Sequence, residues 1–195
     1  MDWQNWFFDW ESAKTESQQS RKPILLQFHR DTCSGCRKLY VTTYLAETVQ
    51  QELYQWFVPV RLDILKDRQV RRLYSAQWTP SFYFVDHRER LYYQLPGYLN
   101  ELDFRLLMRL GLASVLMPGG KYDQAISILE DHWDNFKENP QAASLLFRKG
   151  MAIYLKTRDN LQFRNIMQQI QENYPQSPQA RQWPWIEGGF SKNSQ

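Results

Sequence analysis

The stretch ILLQFHRDTCSGCRKLYV, residues 24–41, decides how the chain reads. Ile24 to Phe28 is an unbroken apolar run of strand length, the pattern of a strand buried on both faces. Just beyond it stand Cys33 and Cys36, the only two cysteines in the chain. From Arg37 to Val49 neither Gly nor Pro interrupts a segment that carries Leu39, Tyr40, Thr43 and Tyr44 at helical spacing, so a helix is expected to start at the cysteine pair. That position has chemical meaning. A helix N-terminus offers unpaired amides and the positive end of the macrodipole, both of which stabilise a thiolate. Cys33 is therefore expected to be the attacking sulfur, and Cys36, one turn further in, to be close enough to resolve a mixed disulfide. Arg30, Arg37 and Lys38 add positive charge around the pair, and Asp31 opposes them. Cysteines so close in sequence cannot staple distant parts of a fold; such a pair is more often catalytic or metal-binding. Zinc asks for four ligands and only His29 lies near in sequence, so no metal and no other cofactor is expected.

Outward from this stretch the pattern alternates. Trp10 to Ser20 reads as a short helix that ends before Lys22-Pro23, and the aromatics Trp3, Trp6, Phe7, Phe8 and Trp10 read as a helix face packed on a sheet. Phe57 to Leu62 reads as a second buried strand and Asp67 to Ser75 as a short polar helix, with Arg68, Arg71 and Arg72 on a solvated face. Ser81 to Val85 reads as a third strand, with Leu91 to Leu95 its hairpin partner across Asp86 to Arg90. Helices alternating with strands, followed by a hairpin, predict an α/β fold: a mixed sheet with flanking helices on both faces.

From Asn100 every segment reads as helix. Asn100 can cap a helix through Met117; a second aligns Tyr122, Ala125, Ile126, Leu129, Trp133 and Phe136; a third spans Ala142 to Lys156; a fourth aligns Phe163, Ile166, Met167, Ile170 and Tyr174. GKYDQA (120–125) and NYPQSP (173–178) resemble turn and terminal signatures of tetratricopeptide repeats, although Gln162 stands where a small residue would let helices approach. An unrelated helical hairpin with the same apolar faces is the alternative. The expected organisation is a sheet domain over 1–110, a C-terminal all-α, TPR-like helical-hairpin region over 111–180, and a tail over 181–195 that contains Trp183-Pro184-Trp185.

Composition narrows the function. The chain has 195 residues, 43% of them apolar and 15% aromatic, which suffices for buried cores. With 24 Lys+Arg against 21 Asp+Glu the net charge is +3, too balanced for a protein defined by a nucleic-acid footprint. The longest apolar stretch, Leu106 to Met117, is interrupted and far shorter than the roughly 20 residues of a membrane span. The opening residues carry neither a basic n-region nor a small-residue cleavage site. No nucleic acid and no membrane partner is expected, and the cytoplasm is the expected compartment.

The strand before CSGC, the VRLD strand end at 60–63, Trp78-Thr79-Pro80 ahead of the third strand and Gly97 after the hairpin together resemble the thioredoxin superfamily over roughly residues 10–110. The opening helix and YLAETV (44–49) look more like a divergent thioredoxin-like branch than like the small general thioredoxins. The resemblance implies a thiol-disulfide oxidoreductase with Cys33 and Cys36 as its catalytic pair. It also implies that Pro80 is cis and faces the pair and that the backbone of Thr79 can pair with an extended substrate; Trp78 beside them reads either as lining the substrate groove or as a core residue. Partners would be proteins with disulfides or thiols, an electron donor the sequence does not name, and a possible further protein on the helical region, which would aid client choice. Three features depart from the family pattern. Thr32 stands where Trp is usual, Ser34-Gly35 replaces the usual Gly-Pro dipeptide, and Gln27 occupies the place of the buried Asp that accepts the resolving cysteine's proton. These departures keep an alternative open: a redox-silent thioredoxin-like and TPR-like interaction module.

Overall fold

The computed structural model describes residues 5–182 and divides into two compact units between Val115 and Leu116. The first unit is built on a four-stranded sheet of order β2-β1-β3-β4, from β1 (Ile24–His29), β2 (Val58–Asp63), β3 (Ser81–Val85) and β4 (Leu91–Pro96). β1 runs parallel to β2 and antiparallel to β3, and β3 and β4 form the hairpin. The sheet is mixed, as the sequence predicts. β1 and β3 are central and almost wholly buried, which is why both read as continuous apolar runs. β4, at the edge, has no buried residue and is exposed at Leu91, Gln94 and Pro96.

Alternation of side chains along β1 divides the core. Ile24, Leu26 and Phe28 pack on one side with Trp10 and Ala13 of α1 (Trp10–Ser20). On the other side, Gln27 receives a hydrogen bond of 2.8 Å from the buried Tyr44 hydroxyl, and Tyr44 and Phe82 each meet the ring of Phe104 edge-on. Phe104 belongs to α5 (Glu101–Leu116), which Asn100 caps by accepting the Asp103 amide at 2.9 Å.

Two local expectations are corrected. The helix after the cysteines is not continuous: α2 (Ser34–Val41) stops, a single 3-10 turn spans Thr43–Leu45, and α3 (Glu47–Trp56) begins anew. The run Val41-Thr42-Thr43 explains the break. β-branched residues resist the helix, and both hydroxyls hydrogen-bond carbonyls, Thr42 to Lys38 at 2.6 Å and Thr43 to Leu99 at 2.7 Å. The aromatic cluster ahead of α1 is not a helix face either. Trp6 and Trp10 are buried, but Phe7 lies extended along β2, exchanging backbone hydrogen bonds with Pro59 and Arg61 and bridging to Val60. Only Trp10 of the cluster is helical; Trp3 lies outside the described residues.

α3 and α5 are tied by a buried ionic group. Arg105 reaches Glu52 Oε1 at 3.0 and 2.6 Å, and Arg109 reaches both carboxylate oxygens at 2.8 and 2.9 Å while lying over the Trp56 ring. Burial pushes the Glu52 carboxyl up, but the hydrogen bonds from Arg109 and Arg105 outweigh it and hold the group below its ordinary value. Removing one member of such a group leaves an uncompensated buried charge, at about 3–5 kcal/mol.

The second unit is helical: α6 (Tyr122–Glu130), the short α7 (Trp133–Phe136), α8 (Ala142–Thr157), α9 (Asn160–Asn173) and α10 (Pro178–Arg181), with α4 (Arg68–Leu73) the remaining helix of the first unit. The single helix expected over Tyr122 to Phe136 is split because His132 adopts left-handed backbone, φ 53°. α8 packs against α6 and α9, and α10 touches α8 and α9. Ala143, Leu146, Phe163, Met167 and Ile170 form the core between them. α8 and α9 come close at Gly150, where an added Cβ would sit 3.1–3.2 Å from Ile166 and Phe163; Gln162 is exposed. Among the described residues no helix is long and apolar enough to cross a membrane. Of the expected tail, Arg181 ends α10 and Trp183-Pro184-Trp185 lie outside the described residues.

Gly111 of α5 tests this packing. A Cβ there would fall 2.2–2.4 Å from three ring atoms of Phe84, a ring fully buried and stacked edge-on against Phe57. Helix propensity alone would make Gly111→Ala stabilising by about 1 kcal/mol, whereas overpacking a core that cannot yield costs roughly 1–3 kcal/mol. The clash is expected to win, lowering the urea midpoint; a raised midpoint would show that the ring has room to move.

Candidate active site

The sheet register assembles the site. β1 ends at His29 and delivers the chain to the cysteines, while Phe28 pairs with Ser81, so the residue before β3, Pro80, lies at the same end of the sheet. An added Cβ on Gly35 would stand 3.1 Å from Pro80 Cδ and 3.6 Å from Tyr98 Cβ. Proline and tyrosine thus pack directly on the dipeptide between the cysteines. The Thr79–Pro80 peptide bond is cis. Two bonds fix the segment: Ser81 Oγ donates to the Trp78 carbonyl at 2.8 Å, and the Gly97 amide donates to the Pro80 carbonyl at 2.7 Å. Gly97 has φ +110°, a conformation that favours glycine, and it turns the chain out of β4 so that Tyr98 reaches the cysteine loop.

Cys33 is the N-cap of α2, with extended backbone, and its sulfur accepts the Cys36 amide at 3.1 Å. Cys33 and Cys36 are joined as a disulfide. Their environments differ: Cys33 is partly exposed, and Cys36 is fully buried. The first cysteine reaches the surface and the second does not. Lys38 sits over the Tyr98 ring at 4.5 Å, while Arg30, Asp31 and Arg37 are exposed. Trp78 is 65% exposed and so belongs to the surface beside Pro80 rather than to the core; Thr79 is half-buried. The residue the sequence reading passed over is Tyr98. Its only signal is its place immediately after Gly97.

Gln27 of β1 belongs to a polar and aromatic cluster with Tyr44 and Tyr40. Gln27 is fully buried and cannot ionise, and burial holds the Tyr44 hydroxyl protonated, well above its ordinary range. Tyr40 stacks on Tyr44 and meets the His29 ring edge-on, with the Arg61 guanidinium 5.0 Å from the Tyr40 centroid. His29, Asp31 and Asp63 bring an imidazole and two carboxylates within 4.8 Å of one another. Asp63 is already committed: Oδ1 accepts the Leu65 and Lys66 amides at 2.8 and 3.1 Å. The grouping is accounted for by two strand ends and the turn that follows β2.

Comparison with known proteins fits this geometry. A family model described as a thioredoxin-like domain matches residues 10–111, just over half of the chain. No curated protein matches the sequence. Among solved structures the chain is similar to a thioredoxin from Thermus thermophilus, at 20% identity over 54% of this chain and 84% of that one, with a TM-score of 0.49. It is similar also to a DsbH oxidoreductase, at 17% identity over 54% and 83%, TM-score 0.47. A third is the oxidised C-terminal domain of DsbD from Neisseria meningitidis, at 18% identity over 50% and 91%, TM-score 0.43.

His29 gives the site a pH signature. Burial first, and then the Arg61 charge, push its imidazole below the ordinary value, against the pull of Asp63 and Asp31. The unfolded chain therefore binds the proton more readily, and stability should fall as pH drops below about 6.5. Urea unfolding between pH 7.5 and 5 should show a shallower decline for His29→Gln than for the parent protein. Identical slopes would remove His29 as the source.

Proposed function

The chain belongs to the thioredoxin-like domain family, and from that premise we propose that it is a thiol-disulfide oxidoreductase acting on protein disulfides through Cys33 and Cys36. The observation that carries the reading is the asymmetry of the pair: a partly exposed sulfur at a helix N-terminus and a buried sulfur joined to it, under Pro80. Helix amides favour the thiolate of Cys33 once the pair is reduced. That thiolate attacks one sulfur of a client disulfide; a Cys33–client bond forms, the client S–S bond breaks, and one client thiolate leaves. Cys36, deprotonated, then attacks the Cys33 sulfur. The intramolecular disulfide forms, the second client sulfur leaves as thiolate, and two electrons have passed from the dithiol to the client. The same steps run backwards when the client is the reductant.

The proton of Cys36 has no carboxylate to take it at position 27. Gln27 and the protonated Tyr44 form a neutral layer, so water, or a group such as Asp31, is the acceptor in this reading. Trp78, Thr79 and Pro80 form the client-binding segment, with the exposed Trp78 ring as its apolar contact. The helical region beyond residue 110, read as TPR-like, holds no cysteine and aids client choice rather than electron transfer. An external donor, unidentified, re-reduces the pair, and the cytoplasm is the proposed compartment.

The test is a covalent trap. Full-length Cys36→Ser, reduced and exposed to a protein with accessible disulfides such as insulin, should accumulate a dithiol-sensitive adduct through Cys33, because the resolving sulfur is gone. The parent protein should turn insulin over with dithiothreitol, and Cys33→Ser should lose that turnover by at least about a hundredfold. Absence of both adduct and turnover would leave the fold as a redox-silent interaction module.

A further inference from the structure

We propose that the cleft beside Trp78 selects clients in which the reacting cysteine is flanked by acidic residues; this rests on the oxidoreductase reading and names the substrate class for it. The cleft, of about 540 Å³, is lined by Arg68, Arg71 and Arg72 with Ser75, Ala76 and Gln77. Three arginines line one depression, and none of them has an ion-pair partner among the described residues. Their positions are held. Arg71 Nε donates to the Ala76 carbonyl at 3.1 Å and Arg68 Nε to the Leu65 carbonyl at 3.2 Å. The carboxylates of the same loop face elsewhere: Asp67 Oδ2 accepts the Asp63 amide and Asp63 Oδ1 accepts those of Leu65 and Lys66. The face is exposed at Arg68 and Arg72, and its three charges are gathered around one depression without a neutralising carboxylate among the described residues.

Connectivity places the cleft beside the disulfide. Gln77 forms part of its wall, and Pro80, three residues on, packs against Gly35. Three residues of chain span at most about 11 Å, so an extended client held along Trp78 and Thr79 with its sulfur at Cys33 enters the cleft within about four residues of that sulfur. The occupant that complements the cleft is an anionic segment of the client itself. Glutamates or aspartates there gain ion pairs and are steered to the site, whereas lysines are repelled.

The experiment uses the reduced full-length protein and fluorescent peptides with one central cysteine in mixed disulfide with 2-mercaptoethanol, flanked on either side by three Glu, three Ser or three Lys. The Glu peptide should be reduced about fivefold faster than the Lys peptide, the size two or three exposed ion pairs allow, and the ratio should shrink towards one in 0.5 M salt, where the Debye length is only a few ångströms. Arg68→Glu with Arg72→Glu should invert the order; Arg71 is kept because it braces Ala76. Equal rates for the three peptides, or an order that survives the double charge reversal, would overturn the proposal. If no peptide is reduced, the oxidoreductase reading fails by itself. Fluorescence anisotropy of the same peptides with serine in place of cysteine then decides the cleft: tighter binding of the Glu peptide supports it, and identical binding of Glu and Lys peptides overturns it.

Discussion

Everything at the active end of this protein depends on the antiparallel register of β1 with β3. Phe28 opposite Ser81 is the pairing that matters, because each residue stands at the edge of a functional segment. One chain leaves the sheet towards Cys33, and the other enters it from Pro80. A slip of one residue would turn the apolar sets of both strands over. Ile24, Leu26 and Phe28, buried with Trp10 on one side, and Leu25 and Gln27, buried on the other, make any such slip costly. The rigid centre of the sheet thus sets the spacing between a reactive pair and the segment that would hold its client, and the loops inherit that precision.

The Gln27–Tyr44 pair in the core is neutral, and the Glu52 brace is ionic. Gln27 and Tyr44 hydrogen-bond in a fully buried site where a carboxylate would have had to be desolvated. The neutral pair avoids that cost, at the expense of an internal base. Further along, Glu52 joins α3 to α5 through two arginines, each making two hydrogen bonds to it. α3 follows the broken helix that begins at the cysteines, so the brace anchors the segment after the break to α5.

How much of this the sequence discloses follows from the range of the forces involved. Buried strands are legible because burial on both faces demands a nearly continuous apolar run, as in Ile24–Phe28, broken only by Gln27, and in Ser81–Val85, apolar after Ser81. The cysteine pair is legible because its chemistry is local and its context, strand before and helix after, lies within a few residues. The helix break is written in Val41-Thr42-Thr43, yet what fixes it is the Thr43 hydrogen bond to Leu99, a partner far away in sequence. His132 likewise breaks an apolar periodicity that looks continuous, since a single left-handed residue leaves no trace in the pattern. Tyr98 cannot be found at all from spacing: its role comes from the turn at Gly97 and from packing on Gly35. Arg68, Arg71 and Arg72 read as a solvated face, and Arg68 and Arg72 are indeed exposed; that they line one depression with Ser75 to Gln77 is a tertiary fact the helix pattern alone does not carry.

The central claim is that the two sulfurs, chemically identical in sequence, are made unequal by the fold: one presented at the end of a helix, one buried. Competitive alkylation measures that inequality directly. The reduced full-length protein is treated with limiting iodoacetamide across pH 5 to 9, and the label at each cysteine is quantified by peptide mass spectrometry. Cys33 should carry the label first at every pH, by at least about tenfold at neutral pH, because reaction needs both an accessible sulfur and its thiolate. Equal labelling, or faster reaction at Cys36, would contradict the account.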